Sequence, residues 1–236
     1  MVSGHEGLRI VVTGAASGIG RAAALRLAEV GARVAGVDLA ASDAPFPMLK
    51  ADVSDEGQIS AAMDEATKAL GGLDAIVNCA GLFRGSPLSS FDFDGFDRMV
   101  AVNLRGTILA AREALKRFPP EGGKIVNVAS ELAYLGRANA SGYCATKGAV
   151  LSLTRSWARE LAPRVLVNAV APGPVDTPLL DAPSMSASEL ALETGNPMGR
   201  IGQPHELTEA VLFLTSRHTT FTTGQCVSVD GGAAMH

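Results

Sequence analysis

Short runs of β-branched and aliphatic residues that stop at small or polar residues, alternating with longer Ala- and Leu-rich stretches at helical spacing, constrain this chain more than any other feature. The runs occupy 8–13, 32–37, 48–51, 73–77, 124–129, 165–169 and 226–229. Helical patterns lie between them at 18–30, 58–70, 91–100, 104–118, 141–161 and 206–215, with Gly71 and Gly72 closing the second and Pro119 and Pro120 ending the fourth. Strands and helices at this cadence predict parallel strands joined by right-handed crossovers. The expected fold is α/β, a doubly wound parallel sheet of about seven strands with helices on both faces. Such sheets hold ligands beyond the carboxyl ends of their strands, where Gly14, Asp38, Asp52, Asn78, Ser130 and Pro172 fall.

Residues 1–236 read as a single domain, because no shift in composition marks a seam. The stretch 174–204, rich in Pro, Gly, Ser and Thr between two regular elements, reads as a mobile lid over a substrate. Hydrophobic residues make up 47% of the chain and aromatic residues only 5%, so the core must be built from Ala, Val, Leu and Ile. A net charge of -4 gives no electrostatic reason to expect a nucleic acid or an anionic membrane as partner. Cys79, Cys144 and Cys226 are odd in number and lack metal-ligand spacing, which argues against a disulfide framework or a metal site. With neither a leader pattern nor a long apolar run, the sequence predicts a cytoplasmic protein.

Between the first strand and the first helix stands Thr13-Gly14-Ala15-Ala16-Ser17-Gly18-Ile19-Gly20. Three glycines there let backbone N–H groups approach a pyrophosphate at a helix N-terminus, the Rossmann-like arrangement, although a glycine turn alone is as often structural. Asp38 ends the second strand 18 residues after Gly20, near the spacing at which a carboxylate accepts hydrogen bonds from an adenosine ribose. A carboxylate at that place repels a 2′-phosphate, and neither Ser17 nor Leu39 brings a positive charge. The sequence therefore predicts NAD over NADP.

Tyr143 and Lys147 stand four apart on one face of a helix. Most such pairs are solvated surface, but a nearby ammonium favours a phenolate and makes tyrosine a usable acid/base. Ser130, at the end of the fifth strand, has a hydroxyl that can hold a substrate oxygen against that phenol. Asn103 reads as the start of a helix, either a plain cap or an amide that orders a water behind Lys147.

Taken in order, Thr13-Gly-x-x-x-Gly-x-Gly20, Asn78-x-Ala-Gly81, Asn103, Ser130, Tyr143-x-x-x-Lys147 and Pro172-Gly-x-Val-x-Thr177 resemble the short-chain dehydrogenase/reductase family over nearly the whole chain. The resemblance implies a catalytic tetrad of Asn103, Ser130, Tyr143 and Lys147, with Tyr143 as acid/base, Ser130 polarising a carbonyl and Lys147 also contacting the nicotinamide ribose. It implies cofactor contacts from Gly14, Ser17, Gly18, Ile19 and Gly20, from Asp52 and Val53 at the adenine, and from Asn78 and Gly81 beside the nucleotide. Pro172, Gly173, Val175 and Thr177 belong with the carboxamide end, and a homotetramer is implied as well. Cys79 departs from the family, many members having a second Asn there.

The expected function is hydride transfer between NAD(H) and a secondary alcohol or ketone, on a sugar, polyol or other small hydroxylated substrate. A 3-oxoacyl-thioester (acyl-carrier-protein) reductase and a non-catalytic dinucleotide-sensing protein are the alternatives. Glu131 and Asn139 are candidates for meeting further hydroxyls, and Arg84 for meeting a carboxylate or phosphopantetheine. Leu179, Leu180, Met185, Leu190, Leu192 and Met198 offer the lid a flexible apolar face.

Overall fold

A computed structural model describes residues 4–40 and 42–235. The chain runs through β1 (Arg9–Thr13), α1 (Gly18–Glu29), β2 (Arg33–Asp38), β3 (Met48–Lys50), α2 (Glu56–Leu70), β4 (Ala75–Asn78), α3 (Phe93–Met99) and α4 (Thr107–Leu115). It continues through β5 (Gly123–Val128), α5 (Leu132–Leu135), α6 (Ser141–Leu161), β6 (Val165–Pro172), α7 (Ala187–Glu193), α8 (Pro204–Thr215) and β7 (Cys226–Val229). All strand pairings are parallel, in the spatial order β3-β2-β1-β4-β5-β6-β7. The order reverses next to β1, so a crevice opens beyond its end.

Alternation along each strand divides the core into two layers. Ile10 and Val12 of β1 face one side with Val77, Val126 and Val170, where α1 and α8 cover them through Ala23, Ala24, Leu27, Leu207 and Val211. Val11 faces the other side with Ile76, Ile125 and Val167, under Ile59, Met63 and Ala66 of α2 and Leu109, Ala110 and Ala114 of α4. Full burial of each such aliphatic side chain is worth roughly 1.5–3 kcal/mol. The small residues on α1 and α4 let the helices lie close to the sheet.

The helix ends follow their local chemistry. Asp55 caps α2 by accepting a hydrogen bond from the Gln58 N–H, and Gly71 ends it at a φ of 76°. Helices expected at 91–100 and 104–118 are instead one rod: between α3 and α4, Val100–Gly106 continues as a π-helical stretch. Asn103 therefore stands within a helix and not at its start, and its backbone carbonyl accepts from the Thr107 hydroxyl at 2.8 Å. The run of β-branched and polar residues there reads as a break in sequence, whereas the extra residue per turn of a π-bulge absorbs it.

The segment 174–204 is not structureless. It carries α7, started by a capping box between Ser186 and Glu189, and a parallel bridge between Val175 and Gly202 ties its two ends. Both α5 and α7 are too short for periodicity to reveal. Among the described residues no helix is long and apolar enough to cross a membrane, and no group of His, Cys, Asp and Glu is placed to hold a metal ion.

Candidate active site

A cavity of about 390 Å³ opens along the carboxyl ends of the strands. It is lined by Gly14, Ser17, Gly18, Ile19 and Gly20, together with Asp38, Asp52 and Val53. Gly14 (φ 69°) and Gly18 (φ 54°) both occupy the left-handed region, and a Cβ on Gly20 would come within 2.1 Å of the Gly14 carbonyl oxygen. Ser17 makes no side-chain cap, so the first N–H groups of α1 remain for a ligand. A phosphate fits this cradle, because an anion is what an uncapped helix N-terminus with no Cβ in the way favours.

Asp38 is fixed by the same loop. Its two carboxylate oxygens accept from the backbone N–H groups of Ala16 at 2.9 Å and Ala40 at 3.0 Å. Asp52 accepts from the Ser54 hydroxyl at 2.6 Å and pairs with Arg98 at 3.1 Å. Burial works to raise its carboxyl, but the hydrogen bonds from Ser54 and Arg98 outweigh it and hold the group below its ordinary value.

The same cavity is lined by Ser130, Tyr143 and Lys147 and by Gly81, Pro172, Gly173, Val175, Thr177 and Leu179, with Thr177 reaching back to the glycine loop, 3.2 Å from where a Cβ on Gly18 would stand. Tyr143 and Lys147 come from adjacent turns of α6, and the Lys147 Nζ lies 5.7 Å from the centre of the Tyr143 ring. Phe83 meets that ring edge-on at 5.2 Å. Lys147 donates to the Val128 carbonyl oxygen at 2.8 Å.

Burial pushes the Tyr143 phenol up to about 12, with Ser130 acting in the opposite direction, and it pulls the Lys147 ammonium down to about 8. The lowered phenol expected from the Tyr/Lys spacing is thus not found in the protein alone. Desolvation disfavours the charged form of both groups, and Lys147 is directed at a backbone carbonyl. Cys79, which also lines the cavity, is likewise pushed up by burial to about 12, which disfavours its thiolate.

Asn103 backs the pair without lining the cavity. Its amide accepts from the Leu82 N–H at 2.8 Å and donates to the Leu82 carbonyl at 2.9 Å and to the Thr146 hydroxyl at 3.2 Å. A Cβ on Gly81 would stand 3.4 Å from the Asn103 Oδ1 and 3.6 Å from the Lys147 Nζ, so the three residues meet at one point. Both N–H groups of the amide and one lone pair of its oxygen are engaged, which makes Asn103 a clamp on the loop after β4.

Residues 14–234 match a family model described as enoyl-(acyl carrier protein) reductase. The chain is 40% identical over 236 residues to cis-4-hydroxycyclohexanecarboxylate dehydrogenase of Sinomonas cyclohexanicum, covering 94% of each. The chain belongs to the short-chain dehydrogenase/reductase family. Its fold matches the ligand-free aldohexose dehydrogenase of Thermoplasma acidophilum with a TM-score of 0.90 at 34% identity, covering 97% of this chain and 95% of that one. It also matches the 3-ketoacyl-(acyl-carrier-protein) reductase of Brucella melitensis complexed with NADH, with a TM-score of 0.89 at 35% identity, covering 98% and 99%. As a short-chain dehydrogenase/reductase, the protein is an oxidoreductase of alcohol and ketone groups that works with a nicotinamide dinucleotide.

Within this short-chain dehydrogenase/reductase, some expected site residues lie elsewhere. Asn78 is buried in the sheet and donates to Asn127 at 2.9 Å instead of lining the cavity. Asn139 is exposed in a left-handed turn at φ 60°, where its carbonyl receives the Ser86 N–H, and Arg84 is exposed outside the cavity too. Of the apolar lid residues, Leu179, Leu180 and Met185 line the cavity, while Leu190, Leu192 and Met198 do not. Glu131 does line it, 4% exposed, and burial raises its carboxyl to about 7. Arg98, Arg137 and Glu193 also line it, and sequence reasoning missed all three. They are charged residues outside any motif, and only the folded chain brings them to the crevice.

Proposed function

We propose that this protein is an NAD(H)-dependent dehydrogenase that interconverts a secondary alcohol and a ketone on a small molecule, acting as a homotetramer in the cytoplasm. One observation carries the reading: a single cavity is lined by the glycine loop with Asp38 and by Ser130, Tyr143 and Lys147. Gly14, Ser17, Gly18, Ile19 and Gly20 would hold the pyrophosphate, Asp38 the adenosine ribose, Asp52 and Val53 the adenine, and Lys147, Val175 and Thr177 the nicotinamide half. When bound, the dinucleotide supplies the hydride donor or acceptor.

The chain's own residues manage the proton. Ser130 and Tyr143 hold the same substrate oxygen, Ser130 by hydrogen bond and Tyr143 by giving or taking its proton. Lys147 stabilises the phenolate once it forms, by its charge. Asn103 positions Lys147 indirectly, by clamping Leu82 and Thr146 around it. The segment 174–204 acts as the lid that excludes water, with Leu179, Leu180 and Met185 as its inner face.

The preference for NAD rests on Asp38, whose charge stands where a 2′-phosphate would have to go. Asp38→Ala is expected to raise the NADP-to-NAD ratio of kcat/KM by at least about tenfold, a change of roughly 1.4 kcal/mol. An unchanged ratio in the variant would remove Asp38 from the site. A 3-oxoacyl-thioester reductase is the second reading, favoured by the similarity to the Brucella enzyme complexed with NADH. Faster turnover of a 3-oxoacyl thioester than of any free secondary alcohol or ketone would decide for it.

A further inference from the structure

Next to Ser130 the cavity wall is charged, and neither the proton chemistry nor the dinucleotide uses those charges. Glu131 follows Ser130, Arg137 stands in the loop after α5, and Glu193 ends α7 in the lid segment. All three line the cavity. Arg137 donates to the Glu193 carboxylate, and its guanidinium lies 3.9 Å from the Glu131 Oε1. Glu193 is the only buried residue of α7, so the single inward group of that helix is a carboxylate.

Glu131 is the least satisfied member. Its Oε2 is buried and has no hydrogen-bond partner among the described residues. A Cβ on Gly173, another cavity residue, would stand 2.8 Å from that oxygen. Asp230 is packed behind the same glycine, with its own oxygens committed to the N–H groups of Gly232 and Ala234. A buried carboxyl oxygen without a donor costs on the order of 1–3 kcal/mol, and such an orphan calls for a ligand group to satisfy it.

The charge balance says which ligand group. Glu131 and Glu193 share one guanidinium here, with Asp230 behind them, so that even with Glu131 about half protonated near pH 7 the wall carries no surplus positive charge and favours hydroxyl donors over a substrate carboxylate. Arg137 is already paired and offers an anion little. We propose that Glu131, braced by Arg137 and Glu193, is a specificity-determining residue that reads a second hydroxyl group close to the reacting carbon. The substrate class is then neutral and polyhydroxylated, a sugar or polyol, in preference to a simple alcohol or a hydroxy acid. This rests on the reading in which Ser130 and Tyr143 mark the reacting oxygen, because that oxygen places the second hydroxyl against Glu131.

The test uses the full chain with NAD and three ring alcohols of similar size: cis-1,2-cyclohexanediol, cyclohexanol and cis-4-hydroxycyclohexanecarboxylate. The expected kcat/KM for the diol exceeds that for cyclohexanol by at least about tenfold, with the carboxylate poorest, since a site built for a hydroxyl discriminates strongly against its absence. Glu131→Leu is expected to collapse the diol-to-cyclohexanol ratio toward one. Glu131→Gln, which keeps an acceptor oxygen and the side-chain volume, is expected to retain part of it. NAD binding, followed by fluorescence titration, establishes that each variant is folded. Equal turnover of diol and cyclohexanol by the wild type, a ratio that survives in Glu131→Leu, or a preference for the carboxylate overturns the inference alone, provided Tyr143→Phe still abolishes turnover. No turnover of the diol also overturns this inference alone, whereas turnover that persists in Tyr143→Phe overturns the underlying reading and this inference with it.

Discussion

With the phenol of Tyr143 buried and the ammonium of Lys147 turned to the Val128 carbonyl, the resting site holds a neutral phenol, the form that donates a proton to a nascent alkoxide. Reduction of a ketone starts from that form. Oxidation of an alcohol needs the phenolate, which grows with pH while the phenol remains the major species. The kcat/KM for oxidation is therefore expected to climb from pH 6 to about 8 and to level off above it, where the Lys147 ammonium, lowered to about 8, loses the charge that stabilises the phenolate, and that for reduction to show no such climb; pH profiles in both directions check this. An oxidation profile already flat below pH 7 would mean that another group takes the proton. That Ser130, Tyr143 and Lys147 meet at one cavity was legible at this scale, since Tyr143 and Lys147 have a fixed helical spacing and Ser130 a strand end. Arg137 and Glu193 were not legible, because nothing local distinguishes an inward Arg or Glu on a loop from a solvated one. Asn139 illustrates the converse: its side-chain chemistry suited a polar subsite, but its left-handed backbone belongs to an exposed turn.

At the scale of elements, the glycine loop depends on contacts too close for any side chain. A Cβ on Gly20 would lie 2.1 Å from the Gly14 oxygen and 3.2 Å from the Cys79 Cβ, so Gly20→Ala must move either the loop or the start of α1. The expected loss is at least about tenfold in NAD affinity, with a destabilisation of about 1–3 kcal/mol from overpacking. Calorimetric titration and thermal unfolding measure both, and unchanged NAD affinity would show that the loop does not contact the dinucleotide. The seven strands and the long α6 were readable because each is a run of one period. The π-helical stretch around Asn103 was not, because its wide turn depends on how Gly106 packs on Val53 and how Thr107 bonds back to Asn103. Its consequence for the site is direct: Asn103 faces Leu82 and Thr146 instead of capping a helix.

For the whole molecule, the parallel sheet brings the ends of β2 and β5, the loops that follow β1 and β4, and α6, all far apart in sequence, to one crevice, and the segment 174–204 adds Glu193. The body also leaves large apolar side chains outside: Phe213 on α8 and Phe221 before β7 are 44% and 103% exposed. Burial of such groups against other copies suits the proposed homotetramer. Light scattering is expected to return the mass of four chains, and a monomer mass would contradict that assembly. None of this matters to catalysis unless Tyr143 carries the proton. The most direct measurement compares wild type with Tyr143→Phe for NAD binding and for NAD-coupled turnover of a substrate found in a panel of sugars, polyols, secondary alcohols and 3-oxoacyl thioesters. The account predicts NAD affinity within about threefold of wild type and turnover reduced by at least about a hundredfold, the scale of a lost general acid/base. Turnover in the variant within tenfold of wild type would contradict it.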